Sequence, residues 1–581
     1  MNGQAARLGA WPLADGRTRF RLWAPAAASA SLVLCGEDQP MRAEGEGLFV
    51  VEAEAPAGTP YRFRIDDGAQ VPDPASRWQP HGVEGASAVL PEDNHAWLTP
   101  DWQGRPWNEL VIYEVHVGCS GGFDGLRAQL PALAAMGITA LELMPVAQFP
   151  GRRNWGYDGV FPYAPAEAYG RPEALKALVD AAHGQGMAVL LDVVYNHFGP
   201  MGNLLEQYAP AFFDRSRSTP WGGAIDFGQP EVRRFFIDNA LMWLHEYRFD
   251  GLRLDAVHAI DSDAFLQQLT DEVHASVSGG RQVHLVLENE RNQARWLRGG
   301  YQAQWNDDYH NALHVLLTGE HEGYYADYAG PGLAASLLAR CLAEGFAWQG
   351  QPTPRGVARG EPSADLPPAR FVAFAQNHDQ VGNRAFGDRL SSLVAPPRAR
   401  LATALTVLIP MVPLLFMGEP WQARTPFLFF TDFPPPLDDA VREGRRREFA
   451  AFSAFGDAAA RARIPDPNDP QTFAASAVGL PDANDPHARV TLDWFRGLVA
   501  LRRRYLQQDL EAAQPLGARV LADRAVQAGW CLPQGEWWVA FNVGDTPVPH
   551  ALPAGDCVLA EGHSDVRQLG PDSLRVHWVV R

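Results

Sequence analysis

The chain of 581 residues contains no uninterrupted apolar run near the 18 or so residues that a membrane helix needs. Its start, MNGQAARLGAWPLADG, lacks a basic region followed by an apolar stretch and a small-residue cleavage site, so the expected compartment is the cytoplasm. Cysteine is scarce: Cys35, Cys119, Cys341, Cys531 and Cys557 are scattered with no CxxC pair. That pattern excludes a disulfide framework or zinc ribbon and predicts ordinary, mostly buried thiols. No GxGxxG or GxxxxGK[ST] follows an early strand, so nothing supports a nucleotide-binding sheet. Positive charge is short as well, with Lys+Arg 49 against Asp+Glu 68 and a formal net charge of −19. Such a field repels phosphate backbones and anionic lipid, which excludes nucleic acid and membrane surfaces as partners and favours a neutral substrate.

The chain does have a globular composition, 46% hydrophobic, 20% charged and 10% aromatic, enough to bury a large core. Its 18 Trp and 17 His hint at carbohydrate, because indole faces suit the apolar faces of sugar rings and imidazoles suit their hydroxyls. Residues 17 to 90 carry short β-rich runs such as RTRFRLWAP, ASLVLC, GLFVVEAE and TPYRFRID between Gly and Pro turns, the pattern of a small β-sandwich. The segment PEDNHAWLTPDWQGRPWNE reads as a linker.

From Leu110 onward, strand-like runs alternate with amphipathic segments. The strands are LVIYEVHV, ITALELMPV, AVLLDVVYNH, GLRLDAV, VHLVLENE, YQAQW, FVAFAQN and PLLFMGEP. Eight buried strands separated by helices predict an α/β fold with a closed (β/α)8 TIM barrel. EWWVAFNV and SLRVHWVV, after residue 515, predict a C-terminal small β domain. The expected division is 1–98 for the N-terminal β-sandwich, 99–510 for the barrel and 511–581 for the C-terminal β-sheet domain.

Working residues in such a barrel project from the C-terminal ends of the strands. DVVYNH, GLRLDAVH, VLENE and FAQNHDQ bring Asp192, Asn196, His197, Arg253, Asp255, His258, Glu288, His378 and Asp379 to one mouth. A single acid at a strand end is more often a helix cap or a solvated charge, but four coincident ends point to chemistry. Two carboxylates about 5 Å apart can share glycosyl transfer, one attacking the anomeric carbon and the other protonating the leaving oxygen. Arg253, on the same face as Asp255, would keep that carboxylate ionised and nucleophilic, whereas Glu288, flanked by other acids, suits a protonated general acid. The closely spaced pair predicts net retention at the anomeric carbon.

DVVYNH, GLRLDAVH, the Glu of VLENE and QNHDQ resemble, in order and at fitting intervals, the four signature regions of the alpha-amylase superfamily of glycoside hydrolases. Within it the chain is most similar to the maltooligosyltrehalose trehalohydrolase family. That similarity runs through PDPASRWQPHGVEG, NWGYDGVFPYAP, DVVYNHFGPMGN, YQAQWNDDYHNALHVLLTGEHEGYYADY, TPFLFFTDF, VREGRRREF and IPDPNDPQTF, and covers nearly the whole chain. The resemblance implies that Asp255 is the nucleophile, Glu288 the acid/base and Asp379 the carboxylate that stabilises the transition state. It implies that Tyr157 stacks beneath the cleaved-side glucose and that His197, Arg253 and His378 bind its hydroxyls. Further substrate-binding positions fall on His258, on Asp307, Asp308 and His310 of WNDDYH, and on Gln380 and Asn383. Read without the resemblance, WNDDYH is a buried Trp with a helix-capping Asp.

The implied activity is cleavage of the α-1,4 bond next to the terminal trehalose of a maltooligosyltrehalose, releasing trehalose and a maltooligosaccharide. The implied N-terminal domain is immunoglobulin-like, akin to a carbohydrate-binding module, and the implied functional partner is a maltooligosyltrehalose synthase. Two departures stand out: the first barrel loop reads HVGCSGGFDG, shorter than the family's HVGTFTPEGTFDG, and strand 5 continues LENERNQ where AESDLND is typical. Many amylases hold calcium through an Asn like Asn196 and a long loop after strand 3. The loop is short here, so neither a metal nor a cofactor is expected. A branching or debranching enzyme of the same superfamily would share the carboxylates, and an inactive glucan-binding protein would have lost them.

Overall fold

The computed structural model describes residues 7–91, 95–219, 222–277, 279–482 and 484–580. The first six residues of the expected N-terminal domain and residues 92–94 of the expected linker lie outside them.

Eight short apolar strands pair side by side, all parallel: β1 (Ile112–Val115), β2 (Ala140–Leu143), β3 (Ala188–Val193), β4 (Gly251–Leu254), β5 (His284–Leu287), β6 (Ala303–Trp305), β7 (Phe371–Ala373) and β8 (Val412–Phe416). β8 hydrogen-bonds back to β1 and closes the barrel, as the eight runs predicted. Every residue of β3 is buried, as expected for a parallel strand covered on one face by helices and filled on the other by neighbouring strands. The covering helices include α1 (Gly122–Met136), α2 (Pro172–Gly184), α3 (Pro230–His245), α4 (Asp263–Ser276), α5 (Asp307–Thr318) and α6 (Leu333–Glu344). Between β7 and β8 lie the short α7 (His378–Gly382) and α8 (Pro396–Leu408), and after β8 come α9 (Leu437–Phe449) and α10 (Pro486–Tyr505).

Helix α1 stops at Gly137, whose φ of 98° lies in the left-handed region and lets its amide return to the carbonyls of Leu133 and Ala134. A Cβ there would meet Val499 Cγ1 of α10 at 2.9 Å, so the same glycine lets the two helices approach.

Two antiparallel sheets face each other at the N-terminal end. One orders Gly9–Pro12, Thr18–Trp23, Leu48–Ala53 and Arg42–Gly45; the other orders Glu37–Pro40, Ala30–Leu34, Pro60–Ile65 and Gln70–Val71. At the C-terminal end lies a five-stranded antiparallel sheet. It is tied to the barrel by Trp537 Nε1, which donates to Leu408 O (2.7 Å), and Trp530 Nε1, which donates to Leu342 O (3.1 Å). The buried Arg502 of α10 donates to the carbonyls of Val407, Ile409 and Met411, satisfying groups left open where α8 ends. One continuous apolar core runs from Ala10 to Val576 through all three regions.

The thiols differ from expectation. Cys119 and Cys341 are buried, Cys531 is half-buried, and Cys35 and Cys557 are exposed. Cys35 occupies a left-handed turn position and Cys557 an edge strand, where no neighbour covers the side chain. Among the described residues no helix is long and apolar enough to cross a membrane.

Candidate active site

Arg253 organises the mouth of the barrel. It lies inside β4 with no exposed surface, its guanidinium 4.1 Å from the ring centre of Trp305 on β6. Its Nη1 donates to Asp192 Oδ2 (2.7 Å) at the end of β3 and to Asp255 Oδ1 (2.6 Å) just beyond β4. Its Nη2 lies 3.9 Å from Glu288 Oε2 at the end of β5. The second Asp255 oxygen accepts from Asn196 Nδ2 (2.7 Å), so both nucleophile-candidate oxygens are aimed by fixed donors. Asn196 Oδ1 in turn contacts His197 Nδ1, and both residues are buried. The amide of this Asn, the residue whose type holds calcium in many amylases, is thus committed to Asp255. No cluster of three or more metal-ligating side chains occurs among the described residues.

The pairing of β4 with β5 runs Arg253 opposite Val286 and Leu254 opposite Leu287, which continues to Asp255 opposite Glu288. Neighbouring strands lie about 4.8 Å apart, so the two carboxylates start from adjacent backbone positions. The amide of Ala256 donates to Glu288 Oε2 at 2.6 Å. Burial first, and then the Asp255 charge, raise the Glu288 carboxyl above its ordinary range, although Arg253 opposes them.

Asp379 opens α7 and is half-exposed at the mouth. Burial works to raise its carboxyl, but the positive His378 beside it, 3.3 Å from Nε2 to Oδ1, outweighs that and holds it below the usual carboxylate range. Burial likewise works against the His378 imidazolium, yet Asp379 and Glu114 overcome it and push the imidazole well above its ordinary value. Glu114, inside β1, grips His378 twice, through Nδ1 and through the backbone amide (2.9 Å). Asn377 caps α7 by accepting from the amides of Asp379 and Gln380, and Gln380 returns its side chain to the Asn377 amide. The helix carrying Asp379 is therefore set by its own capping box and by strand β1.

Tyr157, on the loop after β2, donates to Asp192 Oδ2 (2.6 Å), sits 2.8 Å from His378 Nε2, and stacks on that imidazole at 5.1 Å between ring centres. The loop is braced by Trp155, which stacks on Phe427 and donates to Leu428 O at 2.9 Å. Phe427 and Phe430 of TPFLFFTDF are fully buried, so that segment supports the wall from behind. Gly382 of α7 presses against Trp155 so closely that a Cβ would lie 2.1 Å from the indole. From the excursion after β8, Arg445 of α9 donates to the carbonyls of Gly382 (2.8 Å) and Arg384 (3.0 Å).

An open cleft leads away from Glu288 and Asp379, lined by Glu290, Asp307, Gln380, Asn383 and aromatic residues such as Tyr324 and Phe452. Arg384 and Glu320, both part of its lining, pair through two 2.8 Å bonds. Asp307 faces this cleft, and burial followed by the Glu288 charge pushes its carboxyl well above the ordinary range. Asn383 Nδ2 lies 3.3 Å from Asp379 Oδ1, and His258, on the short helix after Asp255, is half-buried.

Asp308 and His310 are placed differently from the expected substrate contacts. Asp308 is fully buried, accepting from the amides of Ala347 (2.8 Å) and Trp348 (3.0 Å), from Asn292 Nδ2 (2.9 Å) and from Tyr328. His310 is buried with Nδ1 at 2.9 Å from Ala375 O. Successive residues of a helix point about 100° apart, which turns Asp308 away from the cleft that Asp307 reaches, while His310, nearly one turn on from Asp307, is held in the interior by the Ala375 carbonyl. Glu114 lies outside the residues expected at the site, although a lone acid within the apolar run LVIYEVHV marks it in the sequence.

Comparison with known proteins follows the same line. The alpha-amylase catalytic-domain family matches residues 60–216. A malto-oligosyltrehalose trehalohydrolase of Deinococcus radiodurans is 42% identical over 510 residues, covering 86% of this chain and 83% of that protein. One from Rhizobium sp. strain M-11 is 39% identical over 586 residues, covering 94% of each. A 1.4 Å crystal structure from Salmonella typhimurium, carrying an alpha-amylase description, superimposes with a TM-score of 0.93 at 42% identity over 98% of this chain and 99% of that one. The chain belongs to the malto-oligosyltrehalose trehalohydrolase family of the alpha-amylase-type glycoside hydrolases.

Proposed function

We propose that this chain hydrolyses the α-1,4-glucosidic bond adjacent to the terminal trehalose of a maltooligosyltrehalose, with retention, releasing trehalose and a maltooligosaccharide. The observation that carries the reading is the shared guanidinium of Arg253, which touches Asp255 and flanks Glu288 at paired positions of adjacent strands.

In this reading a carboxylate oxygen of Asp255 attacks the anomeric carbon as the bond to the trehalose oxygen breaks, and Glu288 gives that oxygen its proton. Glu288 Oε2 already accepts from Ala256, which leaves Oε1 to carry the proton into the cleft. Water then attacks the same carbon, its proton passes to Glu288, and Asp255 is freed. Adjacent strand positions suit the spacing of about 5–5.5 Å that retention requires, whereas inversion needs roughly 6.5–9.5 Å for an interposed water. Asp379, kept ionised by His378, opposes the positive charge that grows on the sugar.

Tyr157, His197, Arg253 and His378 would hold the sugar on the cleaved side, with His258, Asp307, Gln380 and Asn383 on the cleft side. Asp308 and His310 act through packing. The reading divides the chain near residues 98 and 510. It places the enzyme in the cytoplasm, and it couples the enzyme to a maltooligosyltrehalose synthase that makes its substrate.

Product analysis on maltotriosyltrehalose beside maltopentaose tests the activity. Free trehalose, with a much lower kcat/KM on the plain oligosaccharide, is expected; equal rates, or new α-1,6 branches from amylose, would reassign it. Proton NMR of the fresh maltooligosaccharide is expected to show the α-anomer first, and an early β-anomer would refute retention.

A further inference from the structure

Below the site, mid-way along β2, lies a carboxyl with no part in the steps above. Glu142 is 1% exposed and pairs in register with Glu114 of β1 and Leu190 of β3. Neither of its oxygens has a hydrogen-bond partner among the protein atoms. A buried polar group left so costs about 1–3 kcal/mol, which makes an unassigned one informative.

The neighbouring strands carry the complementary groups. On β3, Asp192 Oδ1 is unpartnered by protein, and on β4 so are Nε and Nη2 of Arg253; both side chains are at most 3% exposed. Acceptors on β2 and β3 therefore face the same interior as two free donors on β4. Nη2 is the atom beside Glu288, and the opposite arm of the guanidinium holds Asp255.

We propose that Glu142 is a positioning residue for the reaction: through water held inside the barrel it completes the hydrogen bonding of Arg253 Nε and Nη2 and of Asp192 Oδ1, and so fixes the guanidinium between Asp255 and Glu288. Buried donors and acceptors left unpaired on neighbouring strands are where an internal water makes its usual three or so hydrogen bonds. The charged and titratable groups facing Glu142 are Glu114 from β1, Asp192 from β3, Arg253 from β4 and His378 from α7. Burial first, and then Glu114, push the Glu142 carboxyl well above its ordinary range, so it stands as a neutral acid that can donate as well as accept. The inference deepens the proposed function, because it rests on Asp255 and Glu288 as the reacting pair.

Steady-state kinetics of Glu142→Leu, Glu142→Gln and Asp255→Asn on maltotriosyltrehalose across pH test it. For Glu142→Leu we expect kcat to fall about tenfold or more with KM within about threefold, and for Glu142→Gln recovery to within about threefold of wild type with both pH limbs unmoved. Wild-type kcat and pH profile in Glu142→Leu would overturn the positioning role. A Glu142→Gln variant as impaired as Glu142→Leu, or one with a shifted alkaline limb, would show that charge is what matters and overturn it as well. If Glu142→Leu does not fold, a high-resolution crystal structure of the wild type decides. Water bridging Glu142 to Arg253 is expected, and a dry contact overturns the proposal. An inactive Asp255→Asn beside an unaffected Glu142→Leu removes this inference alone, whereas an active Asp255→Asn removes the assignment of the pair.

Discussion

Glu288 takes its 2.6 Å hydrogen bond from the amide of Ala256, the residue that follows Asp255 in the chain. Ala256 adopts φ 42° and ψ 51°, a left-handed conformation that costs a non-glycine residue on the order of 1–2 kcal/mol. The turn that ends β4 thus spends backbone strain to aim its N–H at the acid on the next strand. A displacement of either carboxyl is transmitted to the other through this joint.

Asp255→Asn and Glu288→Gln are each expected to lower kcat by about a thousandfold or more while the thermal unfolding midpoint stays near that of the wild type. Asp379→Asn should lose kcat comparably with little change in KM, since its charge acts mainly in the transition state. Near wild-type kcat in any of the three, with normal unfolding, would remove that residue from its role.

The alkaline limb of kcat/KM should report the Glu288 carboxyl, raised by burial and by the Asp255 charge against the pull of Arg253. Activity needs the Glu288 proton and is lost as pH climbs through its raised value. Asp307, pushed well above its ordinary range by burial and by the Glu288 charge, is neutral while Glu288 titrates, so Asp307→Asn should leave the limb where it is. A limb that moves to lower pH would show that Asp307 carries its charge while Glu288 titrates.

Glu114→Gln takes one anion from the His378 imidazolium. The folded His378 titrates above its unfolded value of about 6.5, so the stabilisation is complete below that value and disappears as pH rises through the raised one. Denaturant unfolding should therefore show the full deficit of the variant, about 3 kcal/mol for a broken buried pair, near pH 6, and a smaller deficit at alkaline pH. A deficit that grows with pH would contradict the charge assignment.

Gly382→Ala puts a methyl group where the indole of Trp155 already lies. Overpacking of this kind costs about 1–3 kcal/mol, and here it tilts the helix that carries Asp379. We expect lower stability together with reduced kcat. Unchanged kcat in a destabilised variant would mean that α7 absorbs the shift without moving the carboxylate.

The barrel was legible because strands buried on both faces read as apolar runs, and because the polar residues that break those runs are the ones left at the mouth: Asp192 after AVLL, Asp255 after GLRL, Glu288 after HLVL. What stayed hidden depends on direction and distance. Asp307 and Asp308 are chain neighbours of the same type, and only the rotation of α5 sends one to the cleft and the other to the amides of Ala347 and Trp348. Arg445 lies 63 positions from Gly382 in the chain, and no local pattern announces that its guanidinium ends on that carbonyl.

Arg445 has a consequence for engineering. The loops at the mouth of such a barrel are ordinarily the exchangeable part, on which new specificities are tried while the scaffold stays constant. In this chain the excursion after β8 reaches back to bind the carbonyls at the end of the helix that presents Asp379. Swapping that excursion for one from a relative would loosen the catalytic apparatus along with the substrate walls, unless the graft brought its own cation to the same two oxygens. Recombination here has to move α7 and α9 as a single cassette.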